Sequence, residues 1–145
     1  MKNKLFLFLG GISLAYILDV FVREKLASRQ ARNLANNLGK PLLNVGSGTD
    51  YSSFTGAKLT GNINCDLAAP RNAACAPGQV CFCDVQDLRQ FKNKQFGVAL
   101  AVNILRYVPD KQKAIQELNR VADHVIISNN FLPWPQLGPG PVFPV

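Results

Sequence analysis

Lys40-Pro-Leu-Leu-Asn-Val-Gly-Ser-Gly-Thr-Asp50 is the stretch whose reading decides the fold. Leu42, Leu43 and Val45 form a short apolar run, introduced by Pro41 and stopped by Gly46-Ser-Gly48. Such a run reads as a buried parallel strand passing straight into a glycine loop. Paired glycines allow a tight turn and leave no Cβ between the main chain and a ligand. In a doubly wound sheet, this first strand-to-helix turn is where a nucleotide-like cofactor sits.

Downstream, the pattern continues as strands separated by crossovers. Residues 61–66 and 79–84 read as strands that each end in aspartate, Asp66 and Asp84. Residues 96–102 are apolar throughout, as a central parallel strand requires. Pro109-Asp110 opens a helix over 111–121, with Ala114, Ile115, Leu118 and Val121 on one face, and 124–128 form a fifth strand. Residues 51–60 hold at most a turn or two of helix, 67–78 read as a loop, and the proline-rich tail 131–145 is irregular. Together these predict an α/β, Rossmann-like, doubly wound and mainly parallel sheet of about five strands.

Upstream, residues 5–18 are apolar or small, and Val20-Phe-Val22 extends the run past Asp19. That approaches the ~20 residues of a spanning helix. Arg23-Glu-Lys25 follows in place of the small residues that a cleaved signal would need. The expectation is therefore an N-terminal transmembrane helix, with a membrane anchor over 1–23 and a connecting helix over 24–40 that stops at Gly39. The α/β domain then takes 41–130. Seven of the basic residues (Lys2, Lys4, Arg23, Lys25, Arg29, Arg32 and Lys40) lie in the first forty positions and supply much of the +7 charge. Clustered around an apolar segment, they point to a membrane contacted through residues 5–22 rather than to nucleic acid. Their excess after the run places the globular part of a single-pass protein on the cytoplasmic side.

Asp66 lies twenty positions after Gly46, at the end of the next strand, where a carboxylate can accept from both ribose hydroxyls. The third glycine of a dinucleotide fingerprint is replaced by Tyr51, which disfavours a pyrophosphate and leaves a nucleoside cofactor. Cys65, Cys75, Cys81 and Cys83 contain no CxxC pair and have no nearby histidine, so they read as small buried hydrophobes, and no metal is expected. Asp87 and Asp110 read as helix N-terminal residues, His124 as structural and Trp134 as a packing residue. No catalytic triad or paired acid–base carboxylates can be assembled, and no catalytic residue is assigned.

Residues 41–130 resemble the class I S-adenosylmethionine-dependent methyltransferases. Leu42-Leu-Asn-Val-Gly-Ser-Gly-Thr49 is similar to that family's first motif, beside the methionine half of the cofactor. Asn62-Ile-Asn-Cys-Asp66 is similar to the second, and Asp84-Val-Gln-Asp-Leu88 to the third, with Asp84 and the Val85 backbone at the adenine. Residues 96–110 resemble the fourth strand and its exit, with Asn103 at the cofactor edge. The resemblance thus implies S-adenosylmethionine held by Gly46, Ser47, Gly48, Asp66, Asp84, Val85 and Asn103. The chain departs from the family at Asn44, where an acidic residue is usual, and at Asp50, where a third glycine is usual. It also differs at Gly97 and at Arg106-Tyr107. The residues after Asn129 are too few for the family's last helix and two last strands. Two functions follow as expectations: a membrane-anchored methyltransferase with unknown acceptor, or a catalytically silent accessory subunit of a membrane protein complex.

Overall fold

The computed structural model describes residues 2–49 and 59–128. Helix α1 (Lys2–Leu38) leads into strand β1 (Leu42–Val45), followed by β2 (Ile63–Asp66), β3 (Val80–Phe82) and β4 (Phe96–Val102). A single 3-10 turn at Leu105–Tyr107, helix α2 (Lys111–Val121) and strand β5 (Ala122–Ser128) complete the described fold. The sheet order is β3-β2-β1-β4-β5, and every pairing is parallel. This is the expected five-stranded, Rossmann-like α/β sheet.

Side-chain alternation along the central strands divides the core into two layers. Val98 and Leu100 of β4 and Leu42 of β1 pack against Ala27, Ala31 and Ala35 of α1. Those alanines recur every fourth residue and form one small-residue stripe, which lets the helix lie close to the strands. Ala99 and Ala101 of β4 and Leu43 and Val45 of β1 face the other layer, where Ala114, Leu118 and Val121 of α2 are fully buried. Burying a side chain such as Leu118 contributes about 2 kcal/mol. Asp110 caps α2 as expected, its Oδ1 accepting from the Lys113 N–H at 2.9 Å.

Three expectations change. First, residues 2–38 form one continuous helix, and among the described residues no helix is long and apolar enough to cross a membrane. No transmembrane helix is found over the expected 5–22, where most side chains lie outside the described residues. Asp19 pairs with Arg23 at 2.6 Å, and from Arg23 to Arg32 every turn carries charge. Second, the cysteines are not free hydrophobes: Cys65 pairs with Cys83, and Cys75 with Cys81. Parallel pairing of β2 with β3 brings the four together, a proximity that linear spacing does not reveal. Third, Asp87 begins no helix. It forms an isolated bridge with Asp84 and holds Arg89 at 2.5 Å, and that ion pair keeps its carboxyl below the usual range.

The segment between β3 and β4 stays irregular because α2 captures its main chain. The Leu88 N–H donates to Glu117 Oε2 at 2.7 Å, while Arg120 donates to the carbonyls of Leu88 (2.9 Å) and Phe91 (3.0 Å). Those are groups that a helix would have paired internally. The expected strand starts also shift. β2 begins at Ile63 because the Asn62 side chain accepts from the Leu42 N–H at 2.7 Å. The short helix expected within 51–60 falls mainly on residues outside the described ones, as do Asp50, Trp134 and the tail.

Candidate cofactor site

The carboxyl ends of β1, β2 and β4 converge on the glycine loop. Gly46 and Gly48 have φ of 72° and 76°, a region that other residues enter only at a cost of about 1–2 kcal/mol. A Cβ on Gly46 would overlap the Ile104 side chain, which follows Asn103 at the exit of β4. The loop is fastened to β2 by main-chain bonds: the N–H groups of Gly46 and Ser47 donate to the Cys65 carbonyl at 2.8 and 3.2 Å. Ser47 is buried, and its hydroxyl bonds the Gly48 carbonyl at 3.2 Å.

Asp66 joins this loop to the one after β2. Its Oδ2 accepts from the Gly48 N–H at 2.8 Å and its Oδ1 from the Ala68 N–H at 2.9 Å. Each carboxylate oxygen has further acceptor capacity, so a half-buried Asp66 held this way still has lone pairs for ribose hydroxyls. Asp84 is set by its own turn, its Oδ1 accepting from the Gln86 main chain at 2.9 Å. Val85 is buried in the core, which leaves its backbone as the part available to a ligand. Asn103 has a φ of 59°, and its N–H reaches the Ser128 carbonyl at 2.7 Å, so β5 fixes the turn after β4.

The structure thus brings Gly46, Ser47, Gly48 and Asp66 into one bonded unit. Asp84 and Val85 join it through the Cys83 N–H, which donates to the Asp66 carbonyl at 3.2 Å, and through the Cys65–Cys83 disulfide. Asn103 approaches through Ile104 on Gly46. Sequence reasoning missed Cys65, Cys83 and Ile104. A signal for the cysteines was present: the dipeptide Cys-Asp ends β2 at 65–66 and recurs at 83–84, just past β3, which stops at Phe82 rather than at the expected Asp84.

Asn44, at the position usually acidic, is buried and turned away from this unit. Its Nδ2 donates to Asn64 Oδ1 at 3.2 Å, across directly paired positions of β1 and β2. Asn64 also accepts from the Gly61 N–H and donates to the Gly61 carbonyl, at 3.0 and 2.9 Å. A satisfied amide pair therefore stands where a lone buried carboxylate would need other partners. Gly97 has a packing reason too, since a Cβ there would come within 2.8 Å of Lys40 Cβ.

The family model for the methyltransferase domain matches residues 43–124, more than half of the chain. The chain belongs to this family, one of class I S-adenosylmethionine-dependent methyltransferases. A search of curated proteins finds no match. In this methyltransferase domain the glycine loop, the strand-end carboxylates and the Val85 backbone have the chemistry to hold S-adenosylmethionine, which the family binds. Among the described residues, no group of histidine, cysteine and acidic side chains is arranged to hold a metal ion. A cleft of about 180 Å³ lies at the amino edge of the sheet instead, lined by Arg32, Asn36, Leu42 and Asn62 among others. It is at the opposite end of β1 from the glycine loop and lies outside the cofactor site.

Proposed function

We propose that the protein is an S-adenosylmethionine-dependent methyltransferase, attached to a membrane through residues 5–22, with an acceptor still to be identified. The observation that supports this reading best is the Asp66 carboxylate, held by Gly48 and Ala68 at the carboxyl edge beside a loop that cannot take a Cβ. The cofactor supplies an electrophilic sulfonium methyl when bound. The part of this chain is to bind and orient: Asp66 takes the ribose hydroxyls, the Asp84–Val85 turn takes the adenine, and Gly46–Gly48 lets the main chain approach. Asn103 borders the acceptor side. Alignment of a nucleophile with the methyl group supplies much of the rate in such transfers, which suits a site with no assigned base. The basic excess after the apolar run supports a cytoplasmic domain. The four paired cysteines weigh towards an oxidising compartment, and protease protection in sealed membranes decides between the two.

Calorimetric titration of S-adenosylmethionine and S-adenosylhomocysteine into the solubilised full-length protein tests the reading. Binding is expected for both and is lost in Asp66→Ala. No binding by a folded wild type would favour an accessory subunit of a membrane complex, a role that the Asn44 substitution would then suit.

A further inference from the structure

Helix α1 fixes which way the cofactor site faces. Its carboxyl end lies at the start of β4, where Leu38 Cδ1 and Lys40 Cβ border the place of a Gly97 Cβ. From there α1 packs over Val98 and Leu100 with Val102 against the same layer, so it runs antiparallel to the strands. From Gly97 to Val102 the strand advances about 17 Å, which α1 covers in about eleven residues. Ala27 is therefore level with the carboxyl edge of the sheet. Everything before it projects past that edge, on the side where Gly46–Gly48, Asp66, Asp84 and Asn103 lie.

The projecting flank has one chemistry and then another. Leu14, Leu18 and Val22 are 60%, 55% and 52% exposed, and follow one another at intervals of four. Lys25 and Arg29, at intervals of three and four, continue the same stripe as exposed cations. Apolar contacts beyond the edge and positive charge level with it match the layers of an anionic bilayer, acyl chains below and phosphates above.

We propose that α1 seats the domain on an anionic lipid surface with Lys25 and Arg29 at the phosphates, so that the carboxyl edge, and with it the cofactor site, faces the membrane. This rests on the attachment of residues 5–22 proposed above and adds its orientation. Molecules that reach the site from that side are amphiphiles resident in the leaflet. The amino-edge cleft faces away from the lipid.

Hydrogen exchange of the full-length protein on vesicles tests the orientation, using phosphatidylcholine with and without phosphatidylglycerol. Slowed exchange is expected on the anionic vesicles at residues 46–49, 66–69, 84–88 and 103–107, with none at 39–41 and 92–96. Binding of Lys25→Gln/Arg29→Gln to those vesicles should fall about thirtyfold while its circular dichroism is unchanged. Attachment with protection at the amino edge, or at neither edge, overturns the orientation and leaves cofactor binding by calorimetry intact. Equal binding to neutral vesicles, or by the double variant, removes the role of the two cations. Failure to bind either vesicle overturns both the orientation and the membrane attachment, and a self-association seen instead would assign the stripe to a second copy of the chain.

Discussion

At the carboxyl edge of the sheet, Gly46 turns with positive φ, and the obstacle to a Cβ is a side chain, Ile104. At the amino edge, Gly61 has no positive φ, and a Cβ there would meet main-chain atoms: Leu42 O and Asn44 N, each at 2.9 Å, and Ile63 O. One glycine shapes the candidate cofactor surface. The other lets two strands start side by side. The difference teaches that equal residues at opposite ends of one sheet answer to different demands, a left-handed turn in the candidate cofactor loop at one and strand closure at the other.

Gly61→Ala is expected to cost the most, about 3 kcal/mol of stability, since main-chain atoms cannot rotate aside. Denaturant unfolding measures it, and trimming Ile63 should not restore it. A neutral Gly61→Ala would erase the contrast between the edges.

Arg120→Ala sharpens the contrast from the closure side, because it frees the 88–93 segment and leaves Glu117 without its cation. The expected loss is about 2 kcal/mol. The Arg120 hydrogen bond, followed by the Leu88 N–H, lowers the carboxyl pKa of Glu117. A lowered folded-state pKa contributes stability above the unfolded value and loses it as pH falls through the folded one. The stability difference between wild type and Glu117→Gln should therefore be flat from neutral pH to the ordinary value of 4.5 and shrink in stronger acid. A difference that grows in acid would contradict the assignment.

Gly46→Ala has the smallest expected effect on stability, about 1–2 kcal/mol from its backbone conformation. It should also weaken S-adenosylmethionine binding at least about tenfold, which is roughly 1.4 kcal/mol. Adding Ile104→Ala should recover packing without recovering affinity, because the conformation of the loop stays strained. Recovery of both would mean that Gly46 serves packing alone, and the two edges would no longer differ in kind.

Much of this was legible in the chain. The apolar run at 42–45, its glycine stop, and the aspartate closing the next strand are local patterns, and period and spacing carry them without tertiary help, whereas β3 stops at Phe82, two residues short of Asp84. The stripe of alanines in α1 is also periodic, yet nothing local says which face of which strand it covers. The cysteine pairing, the Asn44–Asn64 amide pair and the capture of residues 88–93 by Glu117 and Arg120 were not legible. Each joins residues far apart in the sequence through strand register or helix docking.

By itself, then, the sequence determined the succession of strands and the position of the glycine loop, because side-chain periodicity and glycine conformation act within a few residues. Only the tertiary structure decided how the two Cys-Asp dipeptides are linked, why Asn can replace an acid at 44, and that α1 runs back along β4 past the carboxyl edge. Those depend on which groups packing brings within bonding distance, a property of the assembled sheet rather than of any single segment.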